Sequence, residues 1–235
     1  MKKFAITLAT SLSLLSLVSS SFPLNALASS PVEYMEAKGE DGHEIRINIP
    51  EKFKKLVTQE QINAIVEQAG DADEITIHNV RNNQDSKDQG KFKAMGFKSP
   101  VKYVESSDNP TKAVQILSVP RGKTLKLTKS EANKVSGQTR VKASVSAGSG
   151  TPVSAMDEVE ASLTSEVSTT YTVEETFTGP EDAKYISRIY YWTGFFDRGT
   201  WRIDETSWWN GQVTATYKGD YTEPTHDVEW SRDFK

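Results

Sequence analysis

The chain has 235 residues, 28 of them basic and 32 acidic, for a net charge of −4. That length allows one large or two small domains with a buried core. The absence of cysteine excludes disulfides, thiol catalysis and acylation at a cysteine, so stability rests on packing alone.

The first 28 residues read as a secretory signal peptide. Lys2 and Lys3 precede an apolar run from Phe4 to Val18, and Ala26-Leu27-Ala28 offers a small-x-small cleavage site after Ala28. The apolar run is shorter than the ~20 residues a membrane span needs. The expectation is a secreted, extracellular protein of Gram-positive style, soluble once processed. Residues 29–42 are polar and expected to be loose.

His43–Ile49 alternates apolar and polar residues and predicts a strand that Pro50 stops. Thr58 followed by Gln61 predicts a capping box. Ile62, Ile65 and Val66 then form an apolar stripe at helical spacing, ended by Ala69-Gly70. Glu74–Val80 is a second strand. Strand, helix and strand predict a small α+β module over residues 29–100, with no glycine-rich phosphate loop.

From Arg81 to Pro100 the pattern is lost and a loop is expected. Lys91-Phe92-Lys93-Ala94-Met95-Gly96-Phe97-Lys98 interleaves cations with aromatics. Lys91, Lys93 and Lys98 are therefore candidate contacts for an anionic or membrane surface. Residues 81–142 hold 14 basic and 5 acidic side chains, against 5 and 11 in 29–80 and 7 and 16 in 143–235. Such an acidic–basic–acidic order fits neighbouring elements that neutralise one another, or a basic face turned toward an anionic polymer.

The second domain, 101–235, is expected to be antiparallel β. Strands are predicted at Val101–Glu105 and Ala113–Val119, with a turn at Pro120-Arg121-Gly122 and a partner strand at Thr124–Thr128. Arg140–Ala147 alternates again. Residues 154–166 stay open between strand and a short helix, leaning to strand, and Val167–Phe177 reads as strand. A single strand over Glu158–Phe177 would run roughly 65 Å at ~3.3 Å per residue. Over about residues 140–178, this Ser/Thr-rich amphipathic pattern resembles aerolysin-type β-pore-forming toxins. The resemblance implies membrane activity by strands that refold into a barrel.

The aromatic stretch Tyr185–Tyr221 predicts a meander. One three-residue hairpin is expected at Asp197-Arg198-Gly199 and a two-residue one at Asn210-Gly211. The latter would pair Trp208 with Val213, Thr206 with Ala215 and Asp204 with Tyr217. Glu223-Pro224 would turn the chain into a last edge strand, Asp227–Phe234. The fold class expected is mainly β with a small α+β N-terminal part and an antiparallel β-sandwich or meander at the C-terminus.

All five tryptophans lie between Trp192 and Trp230. They suit either a thick core or a stacking platform for sugars. Trp192, Trp201 and Trp209 are the candidates for the platform. His43, His78 and His226 have no metal or triad spacing, and no G-x-S-x-G motif occurs, so no catalytic, metal or cofactor residue is assigned. The sequence favours a non-enzymatic protein that binds an anionic polymer or saccharide at the cell envelope. A membrane-active or bacteriocin-like protein is the alternative and a secreted hydrolase the third reading; nucleic acid is not expected as a partner.

Overall fold

The computed structural model describes residues 34–39, 42–82, 96–146 and 151–235. The signal segment, Lys91 and Lys93 lie outside the described residues. The chain is mainly β, with a small α+β part at the N-terminus and antiparallel strands at the C-terminus.

β1 (Tyr34–Lys38) and β2 (Glu44–Asn48) form an antiparallel pair. β1 was expected to be loose because it is polar; it is an edge strand, held by its ladder and by the buried Ala37. After α1 (Glu51–Lys54) comes α2 (Gln59–Ala69). Its capping box is formed: the Gln61 N–H donates to Thr58 Oγ1 and the Thr58 N–H to Gln61 Oε1. The predicted stripe, Ile62, Ile65 and Val66, is buried in a core shared with Ile45, Ile47, Ile75 and Ile77. β3 (Glu74–Asn82) lies parallel to β2.

In chain order there follow β4 (Val101–Pro110), β5 (Val114–Pro120), β6 (Thr124–Lys126), β7 (Glu131–Ser136), β8 (Gln138–Ser146), α3 (Pro152–Glu160), β9 (Glu166–Tyr171), β10 (Thr176–Thr178), β11 (Ser187–Thr206) and β12 (Val213–Phe234). β11 and β12 form one antiparallel hairpin. Its 20-residue strand gives a spine roughly 65 Å long at ~3.3 Å per residue. Near its base, β5 flanks Ser187–Trp192 and β3 flanks His226–Asp233. Toward its tip, β4 flanks Phe195–Arg202 and β8 flanks Ala215–Thr222. Because β3 bonds directly to β12, the expected 29–100 and 101–235 parts share one sheet and one core, in which Phe195, Val228 and Trp230 pack beside α2 residues.

A second layer comes from two small ladders, β6–β10 and β7–β9, and from α3. Val167, Thr169 and Tyr171 on β9 are all buried, and Tyr171 joins Tyr190, Trp192 and Phe177 in a second core cluster. The third cluster lies under α3, where Ala155 and Val159 cover Trp201, Ile203 and Tyr217.

The spine corrects several expectations. No hairpin forms at Asp197–Gly199, and β11 runs straight through. A Cβ on Gly199 would stand 2.0 Å from the Tyr103 carbonyl oxygen and 2.9 Å from the Tyr221 ring. The residue thus marks a close approach rather than a turn. Glu223-Pro224 makes no turn either. Pro224 sits at a bulge opposite Phe196, between the last residue bonded to β8 (Thr222) and the first bonded to β3 (His226). There the ladder needs no N–H from it. The C-terminal strand is consequently central, not an edge.

Other segments also depart from expectation. β6 pairs with β10 instead of returning along β5. Residues 152–160 are helical, because the Thr151 hydroxyl caps Ser154 N–H with Pro152 at the first turn, and Ala155 and Val159 share one buried face. The region expected as one strand from Val167 to Phe177 is β9 and β10, with a turn at Thr172–Glu175 between them. β7 was not anticipated.

Candidate surface-contact site at the hairpin tip

The Asn210-Gly211 turn does close the spine, but not in the expected register. Thr206 pairs with Val213, Glu205 with Ala215 and Asp204 with Thr216. A two-residue loop of the favoured type needs positive φ at both central residues. Here Gly211 adopts it (φ 70°) and Asn210 does not. The loop therefore opens to Ser207–Gln212, and Trp208 and Trp209 leave the ladder.

The loop is internally bonded. Ser207 N–H donates to the Gln212 carbonyl at 2.8 Å and Gly211 N–H to the Ser207 carbonyl at 2.9 Å. Ser207 Oγ accepts from Trp209 N–H, and Asn210 Oδ1 accepts from Gln212 N–H. On this frame Trp208 is 82% and Trp209 79% exposed. Their rings meet edge to face, with centroids 4.9 Å apart and planes at 88°. Burying half of one such ring, ~100 Å² at ~25 cal/mol per Å², yields about 2.5 kcal/mol. Two exposed indoles at one point are an apolar feature of the kind that marks contact sites.

Behind the tip lies a charged collar. The chain from Thr206 to Tyr217 carries no charged residue. Next along β11 come the carboxylates Glu205, buried and accepting from the Tyr217 hydroxyl, and Asp204, and then Arg202 with its cross-strand neighbour Lys218, both exposed. Lys98 is also exposed, and its N–H donates to the Asp204 carbonyl at 2.9 Å. Gly96 and Phe97 are bound beside it, through Thr206 N–H to the Gly96 carbonyl and a bridge between Phe97 and Glu205. Partial burial raises the Asp204 carboxyl, but hydrogen bonds from Thr216 and Arg202 and the charges of Arg202 and Lys98 outweigh it and hold the group below its usual range.

Of the residues singled out in the sequence, Trp209 and Lys98 are thus brought to one end of the molecule. Trp192 and Trp201 are not available for a platform, each being 1% exposed. Trp192 is covered by the layer containing Tyr171 and Phe177, and Trp201 by α3. Trp201 Nε1 donates to the Asp220 carbonyl. Trp208 was missed as a site residue. Its signal was the adjacency of two tryptophans just before Asn-Gly, where a small register change frees both.

The interior holds a second polar cluster with a different character. Asp227 is fully buried and accepts from Arg81 at 3.0 Å and from the Thr169 hydroxyl at 2.8 Å. Glu229 stands 3.5 Å from the same guanidinium. Burial raises the Glu229 carboxyl, with Arg81 opposing and Glu175 and Asp227 reinforcing. Nearby, burial lowers His226, whose Nε2 lies 3.8 Å from Asp108. These groups tie the β9 layer and the β4 crossing to the spine. Arg81, Thr169 and Asp227 bond to one another, whereas the buried His226 Nε2 has no hydrogen-bond partner among the described residues. Among the described residues no three His, Asp or Glu side chains converge as metal ligands, and no helix is long and apolar enough to cross a membrane.

No protein-family model, no curated protein and no solved structure matches this chain.

Proposed function

We propose that the chain is an exported, non-enzymatic binding protein that contacts the cell envelope or another extracellular surface with the tip of its β11–β12 hairpin. The observation that carries this reading is the pair Trp208 and Trp209, more than three-quarters exposed on a hydrogen-bonded loop at the end of the spine. The export part rests on the Lys2–Ala28 sequence. The partner class is a negatively charged surface of the cell envelope, wall polymer or membrane, met by the indoles and by Lys98, Arg202 and Lys218. Membrane activity is the second reading, favoured by the 88° crossing of the two rings, which offers no flat shelf to a sugar.

The test is co-sedimentation of the full chain with isolated wall sacculi and with membranes from the same cells, at low and high salt. Binding should fall at least tenfold in a Trp208→Ala, Trp209→Ala double variant, and charge contributions should fade as salt screens them. Equal binding by the double variant would refute the assignment of the tip.

A further inference from the structure

Resting on that reading of the tip as a contact surface, we infer that its partner is the interfacial layer of a phospholipid bilayer bearing anionic headgroups.

Four features of the tip select this partner. The first is ring geometry. A sugar is held by a ring lying flat on its apolar face, and two such rings cooperate when they are coplanar or line a groove. Trp208 and Trp209 stand at 88° with centroids 4.9 Å apart, so only one can lie flat on any sugar. The interfacial layer is fluid and accepts an indole in any orientation that leaves its N–H wet.

Hydrogen-bonding capacity is the second. Saccharide recognition needs directed polar partners beside the ring. Two of the loop's side-chain acceptors, Ser207 Oγ and Asn210 Oδ1, are turned onto its own backbone N–H groups at Trp209 and Gln212, which leaves the Gln212 amide as the third. The same bonds, with those from Ser207 N–H and Gly211 N–H, satisfy backbone groups that would otherwise oppose immersion in a less polar medium.

Shape is the third. Among the described residues, flanking support ends with Val101 beside Arg202, the Phe97–Glu205 bridge and Ser146 beside Ala215. The loop Ser207–Gln212 extends past these as a convex end. The Gly211 N–H to Ser207 carbonyl bond folds this end into a tight turn, too short to span a bilayer and suited to shallow burial at its interface.

Charge is the fourth. The uncharged stretch Thr206–Tyr217 is followed by three exposed cations, Lys98, Arg202 and Lys218, and two carboxylates, Asp204 held by Arg202 and Thr216 and Glu205 buried beneath the Tyr217 hydroxyl. The exposed members of this collar are the positive ones, on a chain of net charge −4, and they stand at headgroup level when the indoles are immersed.

The experiment titrates the chain processed after Ala28 with vesicles of phosphatidylcholine alone and of phosphatidylcholine with one-third phosphatidylglycerol, with wall sacculi as a parallel arm. Trp192, Trp201 and Trp230 are buried, so a blue shift of tryptophan emission and protection from acrylamide report on Trp208 and Trp209. The inference expects both signals with the mixed vesicles and weaker binding to phosphatidylcholine alone. In Trp208→Ala, Trp209→Ala, made in the same processed chain so that the apolar Phe4–Val18 run contributes nothing, partitioning should drop at least thirtyfold. Far-ultraviolet dichroism should stay unchanged, because both residues lie outside the ladder. Lys98→Glu should weaken binding to the mixed vesicles about threefold or more, with little effect on phosphatidylcholine alone. Equal vesicle binding by wild type and double variant overturns the inference. Tryptophan-dependent binding to sacculi without vesicle binding also overturns it, while leaving the contact-surface reading intact. Binding to neither would overturn both.

Discussion

Replacing Asp227 with Ala tests whether the Arg81–Asp227–Thr169 cluster pins the β9 layer to the spine. Asp227 is fully buried and accepts two short hydrogen bonds, from Arg81 at 3.0 Å and from Thr169 at 2.8 Å. Removing the carboxylate leaves the guanidinium without its closest anion and costs the buried Thr169 hydroxyl its acceptor. Breaking one side of a buried pair costs about 3–5 kcal/mol. Arg81 retains 36% side-chain exposure and a second carboxylate in Glu229 at 3.5 Å, so solvent and Glu229 recover part of that. The expected loss is about 2–4 kcal/mol, or a fall in Tm of roughly 4–16 °C for a chain of this size. Urea unfolding followed by tryptophan emission and far-ultraviolet dichroism measures it. A companion Thr169→Val variant should lose about 1 kcal/mol. The double variant should lose less than the sum, because the two residues share one bond. A loss below 1 kcal/mol in Asp227→Ala, or strict additivity with Thr169→Val, would refute the pin.

Acid should weaken the fold through His78. Burial first, and then the charge of Arg188, lowers this imidazole to about 4, while it shares a hydrogen bond with Ser231 Oγ at 2.8 Å and packs on Tyr190. A depressed folded-state pKa gives stability that is present above ~6.5 and lost as pH falls toward 4. The loss is roughly 3 kcal/mol at ~1.4 kcal/mol per unit, and His78→Gln should flatten the dependence of the urea midpoint between those pH values. Gly199→Ala places a Cβ 2.0 Å from the Tyr103 carbonyl oxygen; a loss of about 3 kcal/mol or more is expected, and a neutral thermal melt would count against the close approach. Thr151→Ala removes the cap of α3 and should cost about 1 kcal/mol, read by the same melts.

Local chemistry was enough to read the N-terminal elements. Thr58 and Gln61 make a cap whether or not anything packs nearby, and Ile62, Ile65 and Val66 share a helix face by spacing alone. Alternation in Glu44–Asn48 and Glu74–Asn82 likewise marks strands with one buried face. Fold class followed from the same patterns, as did the existence of a turn at Asn210-Gly211. What such patterns lack is the identity of the neighbour. Gly199 and Pro224 look like punctuation until Tyr103 and Tyr221 approach the one and a gap between β8 and β3 receives the other.

The candidate site divides along that line. Trp192, Trp201 and Trp209 are equivalent as letters in an alternating stretch. Tertiary structure puts Trp192 and Trp201 under a second layer drawn from β9, β10 and α3, and a loop opening from two residues to six puts Trp209, with Trp208, into solvent. Lys98 is far from Trp209 along the chain but binds the same end of β11 through its backbone. Composition and periodicity are properties of a segment and its two faces, so they determined that this protein is β-rich, helix-capped at Thr58 and aromatic in its spine. Which face is covered and which register a turn settles into depend on contacts between segments distant in sequence, so only the folded chain decided them.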